Sequence, residues 1–225
     1  MRSSHRSNGL PLVALALCVA GIASWAVMRY QARQVVVEAA AIYSALTLQP
    51  HSRVADVGAG TGRYSLELAR TLLTDGYVYA TEIDLERLAN IRTAVAAEGL
   101  QNVTALESRD SDTGLRPGCC DGVFLRRVYH HLTDPASVAS DLFAAVRPGG
   151  RLVIIDFEPG AWWSSLFPAG DLPPSRRGHG ISPAVVVAEL TAAGFVLGEQ
   201  IDDWGGGNYG LVFSRHRSAD EARQN

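Results

Sequence analysis

Residues 54–62 read VADVGAGTG: an apolar run, one acid at Asp56, then glycines at 58, 60 and 62. The next stretch, RYSLELARTLL, carries its apolar residues at helical spacing, so the segment reads strand, glycine turn, helix. Glycines let a backbone bend sharply and approach a ligand closely, and a helix N-terminus adds unpaired N–H donors. That chemistry holds a nucleotide-like ligand. A dinucleotide fingerprint wants G-x-G-x-x-G, but from Gly58 this chain gives G-x-G-x-G with Arg63 where the last glycine would fall. A second apolar run, GYVYATEID, brings an acid, Glu82, twenty residues past Gly62. That distance also suits a nicotinamide site, so Glu82 alone leaves both ligands open. Further along stand Arg126 and Arg127, the pair His130 and His131, Asp156, and a loop with Trp162, Trp163, Arg176, Arg177 and His179. These types can bind anions, move protons or line an apolar pocket.

Three segments in order carry a family likeness. D-x-G-x-G-x-G after a strand resembles motif I of the class I S-adenosylmethionine-dependent methyltransferases. CCDGVFLRRVYHHL (119–132) resembles that family's fourth strand and turn, and RPGGRLVIIDFEP (147–159) its Pro-Gly-Gly turn and fifth strand. The likeness runs from about Val54 to Arg215. It implies an α/β fold: a doubly wound, seven-stranded, mainly parallel sheet in the order 3-2-1-4-5-7-6, the last strand antiparallel. It also implies S-adenosyl-L-methionine as cofactor, with Glu82 holding both ribose hydroxyls. The cofactor contacts carried over are Asp56, Gly58, Ala59, Gly60, Gly62, Glu82, Ile83, Asp110 and Arg126. Asp112 is the alternative to Asp110 for adenine, and Arg109 stands where many members have the acid. Arg126 or Arg127 is expected to reach the methionine carboxylate or an anionic substrate. Tyr129, His130, Asp156, Trp162 and His179 are the expected substrate contacts. No catalytic residue is fixed by the resemblance; His130, His131 and His179 are the candidates for a base. The expected function is methyl transfer to a small or lipid-like molecule. A non-catalytic scaffold of the same fold is the alternative, and the displaced glycine register argues against a nicotinamide oxidoreductase.

The elements that would position these residues alternate. Strands are expected near 53–58, 77–83, 102–107, 120–125 and 151–157, with helices near 63–73, 85–98 and 134–146. Another helix follows Ser182, a good N-cap with Pro183 at the first helical position. FVLGEQIDDW, a glycine-rich turn and NYGLVFSRH then read as a hairpin. Alternation of this kind makes a sheet covered on both faces. Residues 158–181 fit no regular element, and a loop beyond the fifth strand is where a substrate pocket or lid belongs.

With 225 residues and 47% hydrophobic content the chain can bury one sizeable core. A net charge of −3 argues against general nucleic-acid affinity. No His/Cys group has metal-ligand spacing, and the adjacent Cys119 and Cys120 read as reduced core residues. Between Arg6 and Arg29 there is no charge, and Leu10–Met28 would span roughly 28 Å as a helix. Residues 10–28 are expected to anchor the chain in a membrane with its domain facing the cytosol. A cleaved secretory signal and an organellar targeting peptide are the alternatives. The expected division is a tail and hydrophobic segment over 1–33, a domain over 34–215 and a polar tail over 216–225, with VVVEAAAIYSAL (35–46) a helix leading into the first strand.

Overall fold

The computed structural model describes residues 9–72, 75–160 and 180–216. Seven strands form one sheet: β1 (Arg53–Val57), β2 (Tyr77–Glu82), β3 (Val103–Glu107), β4 (Cys120–Arg126), β5 (Val146–Asp156), β6 (Val196–Gly205) and β7 (Asn208–Ser214). Their order is β3-β2-β1-β4-β5-β7-β6, as the resemblance implied. The five strands from β3 to β5 pair in parallel, and β7 runs antiparallel between β5 and β6.

Both faces of this sheet are buried, which is why its strands read as continuous apolar runs. Val123, Leu125, Leu152 and Ile154 pack on one face with α4 (Pro135–Ala145) and α5 (Pro183–Ala192), through Leu142, Val186 and Leu190. Val54, Val78, Phe124 and Val153 pack on the other with Leu68 and Ala69 of α2 (Arg63–Thr71). Ala39 and Ile42 complete that layer from the end of α1 (Gly9–Ala45). Each such valine, leucine, isoleucine or phenylalanine, fully removed from water, contributes about 1.5–3 kcal/mol before entropy is counted. Helix α3 (Leu85–Ala97) starts at Asp84, whose carboxylate accepts from the Glu86 and Arg87 amides.

Four expectations need correction. The helix expected from residue 35 begins at Gly9 and is 37 residues long. It is apolar at its start, yet among the described residues no helix is long and apolar enough to cross a membrane, so the expected span over 10–28 is not borne out. Residues up to Glu38 form a unit apart from Ala39–Asn225; within the first, Leu17, Ile22, Trp25 and Met28 are exposed. Cys119 and Cys120 are joined in a disulfide rather than reduced, their side chains meeting where the chain enters β4. The Pro-Gly-Gly segment lies inside β5, as an irregularity in its pairing with β4, because the Gly149 amide donates to Arg215 O and holds it in the sheet. Ser182 stands at the N-cap of α5 as expected, but its hydroxyl makes no capping bond.

Candidate cofactor and acceptor cleft

The glycine turn leaves the carboxyl end of β1 and is tied to its neighbour. The Gly58 and Ala59 amides both donate to Thr81 O of β2, each at 2.9 Å. Gly58 has φ +74, and a Cβ there would lie 2.5 Å from Val128 Cγ2. Only glycine satisfies both the left-handed backbone and that close approach. Gly60 has φ +59, but a Cβ there would meet nothing within 4 Å, because the residue faces open cleft. Gly62, expected with the cofactor residues, sits instead against Ile91 of α3 at the start of α2.

Two acids flank this turn. Asp56 is buried and accepts from Ser65 Oγ at 2.6 Å and from the Ser65 amide. Burial pushes its carboxyl up to about 7, with the Ser65 bonds opposing; nearby Glu82 adds to the rise and Arg126 reduces it. Asp56, expected among the cofactor contacts, is thus bonded to Ser65 of α2 beneath the turn. Glu82 ends β2 and is also buried. Its Oε2 accepts from the Gly60 amide at 2.7 Å, and Oε1 from the Ile83 and Asp84 amides at 3.0 and 3.1 Å. The carboxylate therefore stands at the rim of the turn with its orientation fixed. Carboxylate oxygens have further acceptor capacity, which suits a vicinal diol.

The cleft beyond β1, β2 and β4 has two lobes that share Gly58, Ile83, Val128 and His131. One holds Asp56, Ala59, Gly60, Tyr64, Glu82, Arg126 and Arg127 among its walls. The other is more apolar, with Val57, Leu132 and Val138, and has Asp110 and Asp112 at its edge. Arg109 and Asp112 exchange backbone bonds of 2.7 and 3.2 Å, making a tight turn that carries Asp110 at its tip. Asp112 Oδ1 accepts from the Gly114 amide at 2.8 Å. An elongated ligand with a sugar in the middle, a flat base at one end and a charged group at the other matches this arrangement.

On the acceptor side the expected residues divide. Tyr129 is fully buried in the core, because the 3-10 turn Tyr129–His131 directs it inward. His130 and Asp156 are buried too and face each other: Nδ1 lies 2.8 Å from Asp156 Oδ1, and the His130 amide donates to Oδ2 at 3.2 Å. The Phe157 amide donates to Oδ1 at 3.0 Å. Tyr129, His130 and Asp156 are thus buried and not among the residues that line the two lobes. His131 is the histidine that lines both lobes, and its ring lies 3.9 Å from that of His130. Trp162, Trp163, Arg176, Arg177 and His179 lie outside the described residues. Sequence reasoning missed Tyr64 and Val128. Tyr64 lies two residues past Gly62, and Arg126 Cζ sits over its ring, 4.9 Å from the centre, so an aromatic just past the turn was the available signal. Val128 could not be anticipated, since its fit against Gly58 depends on how β4 turns. Among the described residues no group of His, Cys, Asp and Glu could hold a metal ion.

Comparison with known proteins gives a family match over the segment that holds the glycine turn and Glu82. Residues 55–154, from β1 to β5, match the family model described as a methyltransferase domain. The ubiquinone/menaquinone biosynthesis C-methyltransferase UbiE of Wigglesworthia glossinidia brevipalpis is 21% identical over 109 residues, covering 48% of this chain and 44% of that one. The chain thus spans less than half the length of that relative. The ubiquinone biosynthesis O-methyltransferase of Aeromonas salmonicida is 27% identical over 163 residues, 70% of this chain and 66% of that one. In fold, the chain is similar to a SAM-dependent methyltransferase from Aquifex aeolicus, with a TM-score of 0.66 and 24% identity over 78% of this chain and 88% of that one. The glycine turn and Glu82 fall within the matched span, so residues 55–154 are similar to a methyltransferase domain and the sheet that holds them is similar in fold to a SAM-dependent methyltransferase.

Proposed function

We propose that the protein transfers a methyl group from S-adenosylmethionine to a small or lipid-like acceptor by in-line displacement. The observation that carries this reading is the pairing of Gly60, open to the cleft, with Glu82, fixed by three amides beside it. Glu82 then holds the ribose hydroxyls, Arg126 the methionine carboxylate, and Asp110 the adenine edge. Asp112 is the weaker choice for adenine because Gly114 already donates to it. Bound cofactor supplies an activated methyl whose leaving group departs neutral. What remains for the chain is to hold nucleophile and methyl about 3 Å apart and aligned. Where the nucleophile must lose a proton, His131 takes it, since it lines the cleft while His130 is held against Asp156. The relatives' names, which concern ubiquinone and menaquinone biosynthesis, support a small acceptor with lipid-like character.

The N-terminal segment is a separate proposal. Its charge-free stretch and exposed Trp25 and Met28 support attachment to a membrane, with the domain on the cytosolic side where the cofactor is made. Cells fed isotope-labelled methionine, with and without the protein, test the reaction directly. A metabolite that gains label only when the protein is present is the expected result. Cofactor binding with no labelled product would instead favour the scaffold reading.

A further inference from the structure

β4 ends at Arg126 and Arg127 follows directly; continued strand alternation would point the two to opposite faces of the sheet. Arg127 breaks that rule. Its φ is +55, a left-handed conformation uncommon for residues with a side chain, and it lines the same lobe as Arg126. Such backbone persists where surrounding structure enforces it, and it clusters at binding sites. Here the enforcement is visible: the Arg127 amide donates to Ile155 O of β5 at 2.7 Å.

The two guanidinium groups are held in different places. Arg126 lies over Tyr64 of α2, on the cofactor side. Arg127 reaches the other way, its Nε donating to Asn208 Oδ1 at 2.7 Å and its Nη2 to Gly206 O at 3.1 Å. Its Cζ also lies 5.5 Å from the centre of the Phe157 ring, at the end of β5. The Asn208 and Gly206 acceptors are both neutral, so they fix the guanidinium without cancelling its charge, and a fixed guanidinium is the group that recognises carboxylate or phosphate. The local field favours the same ligand. Arg63 and Arg87 line this lobe as well, and Arg87 is answered by Asp84 at 3.6 Å. Of the two acids present, Glu82 already accepts three amide bonds, and burial leaves Asp56 only partly ionised near neutral pH.

We propose that Arg127 recognises a carboxylate or phosphate on the acceptor, so that the substrate is an anionic molecule. This rests on the cofactor reading above and adds the charge of the second substrate. Calorimetry on the full chain saturated with S-adenosylhomocysteine, titrated with pyrophosphate and separately with benzoate, tests it. At least one probe should bind. Arg127→Gln should weaken that binding about tenfold or more while S-adenosylhomocysteine still binds. Arg127→Lys, which keeps the charge and loses the fork, should fall between the two and decides the matter if the glutamine variant does not fold. The proposal is overturned if neither probe binds, if both variants bind the probe as wild type does, or if S-adenosylhomocysteine displaces the probe. Displacement would mean that the anion had taken the place of the methionine carboxylate. Failure of S-adenosylhomocysteine itself to bind would overturn the cofactor reading instead, and this inference with it.

Discussion

The half of the cleft made by β1 and β2 is shaped largely by backbone, whereas the half made by β4 and β5 is shaped by side chains. On the first, amides of Gly58, Ala59 and Gly60 bind Thr81 O and Glu82, and a left-handed turn leaves open space for a ligand. On the second, Asp156, His130, His131, Phe157 and Arg127 interlock through rings, a carboxylate and a guanidinium. Backbone shape suits a ligand common to a whole family; interlocked side chains can be changed one at a time to suit different acceptors. Within the second half, Asp156 and His130 are buried and brace, while His131 and Arg127 line the cleft.

The largest expected effect lies on the bracing side. Asp156→Ala leaves His130 and two amides without their buried acceptor, and should lower unfolding free energy by about 3–5 kcal/mol in denaturant titration. His131→Ala, one position from His130 but exposed, should change stability by no more than about 0.5 kcal/mol while lowering label incorporation into the acceptor. Equal destabilisation by both variants would remove the distinction between brace and site.

A second contrast falls between two glycines of one turn. Gly58→Ala combines a left-handed backbone with a Cβ driven into Val128, and should cost about 2–4 kcal/mol of stability. Gly60→Ala has the backbone term only, about 1–2 kcal/mol, but puts a methyl group where ligand belongs. Its loss of S-adenosylhomocysteine affinity should therefore exceed its loss of stability. If Gly60→Ala binds normally, that stretch of cleft is not the cofactor's.

Asp56 gives a pH signature for the first half. Its carboxyl titrates near 7 folded and near 3.8 unfolded, so between those values the folded state holds a proton that the unfolded chain has released. Stability must then fall as pH rises from about 4 to about 7, and level off above. Asp56→Asn should flatten that slope and be more stable than wild type at pH 8, by up to about 4 kcal/mol. Parallel pH profiles for the two proteins would show that Asp56 ionises freely in the fold.

The backbone half was readable in sequence because its determinants are local. Gly58, Gly60 and the strand–turn–helix pattern all lie between Arg53 and Thr71, and Glu82 is placed by the apolar run that it ends. The side-chain half was only partly readable. HH after a strand marked the right turn, yet which ring faces the cleft depends on packing of Tyr129 into the core and on Asp156, 26 residues from His130. Arg127 was visible as a cation, but nothing local predicts a left-handed arginine, since the bond to Ile155 that holds it comes from another strand. Cys119 and Cys120 gave no local sign of being bridged.

The central claim, that Glu82 beside an open glycine turn holds the cofactor ribose, is tested most directly by calorimetry of S-adenosylhomocysteine on the full chain and on Glu82→Ala. Wild type should bind it in preference to NAD. The variant should bind about 10–100-fold more weakly, the loss of charge-assisted hydrogen bonds to the ribose. Unchanged affinity in a folded Glu82→Ala protein, or no binding by wild type, would contradict the account.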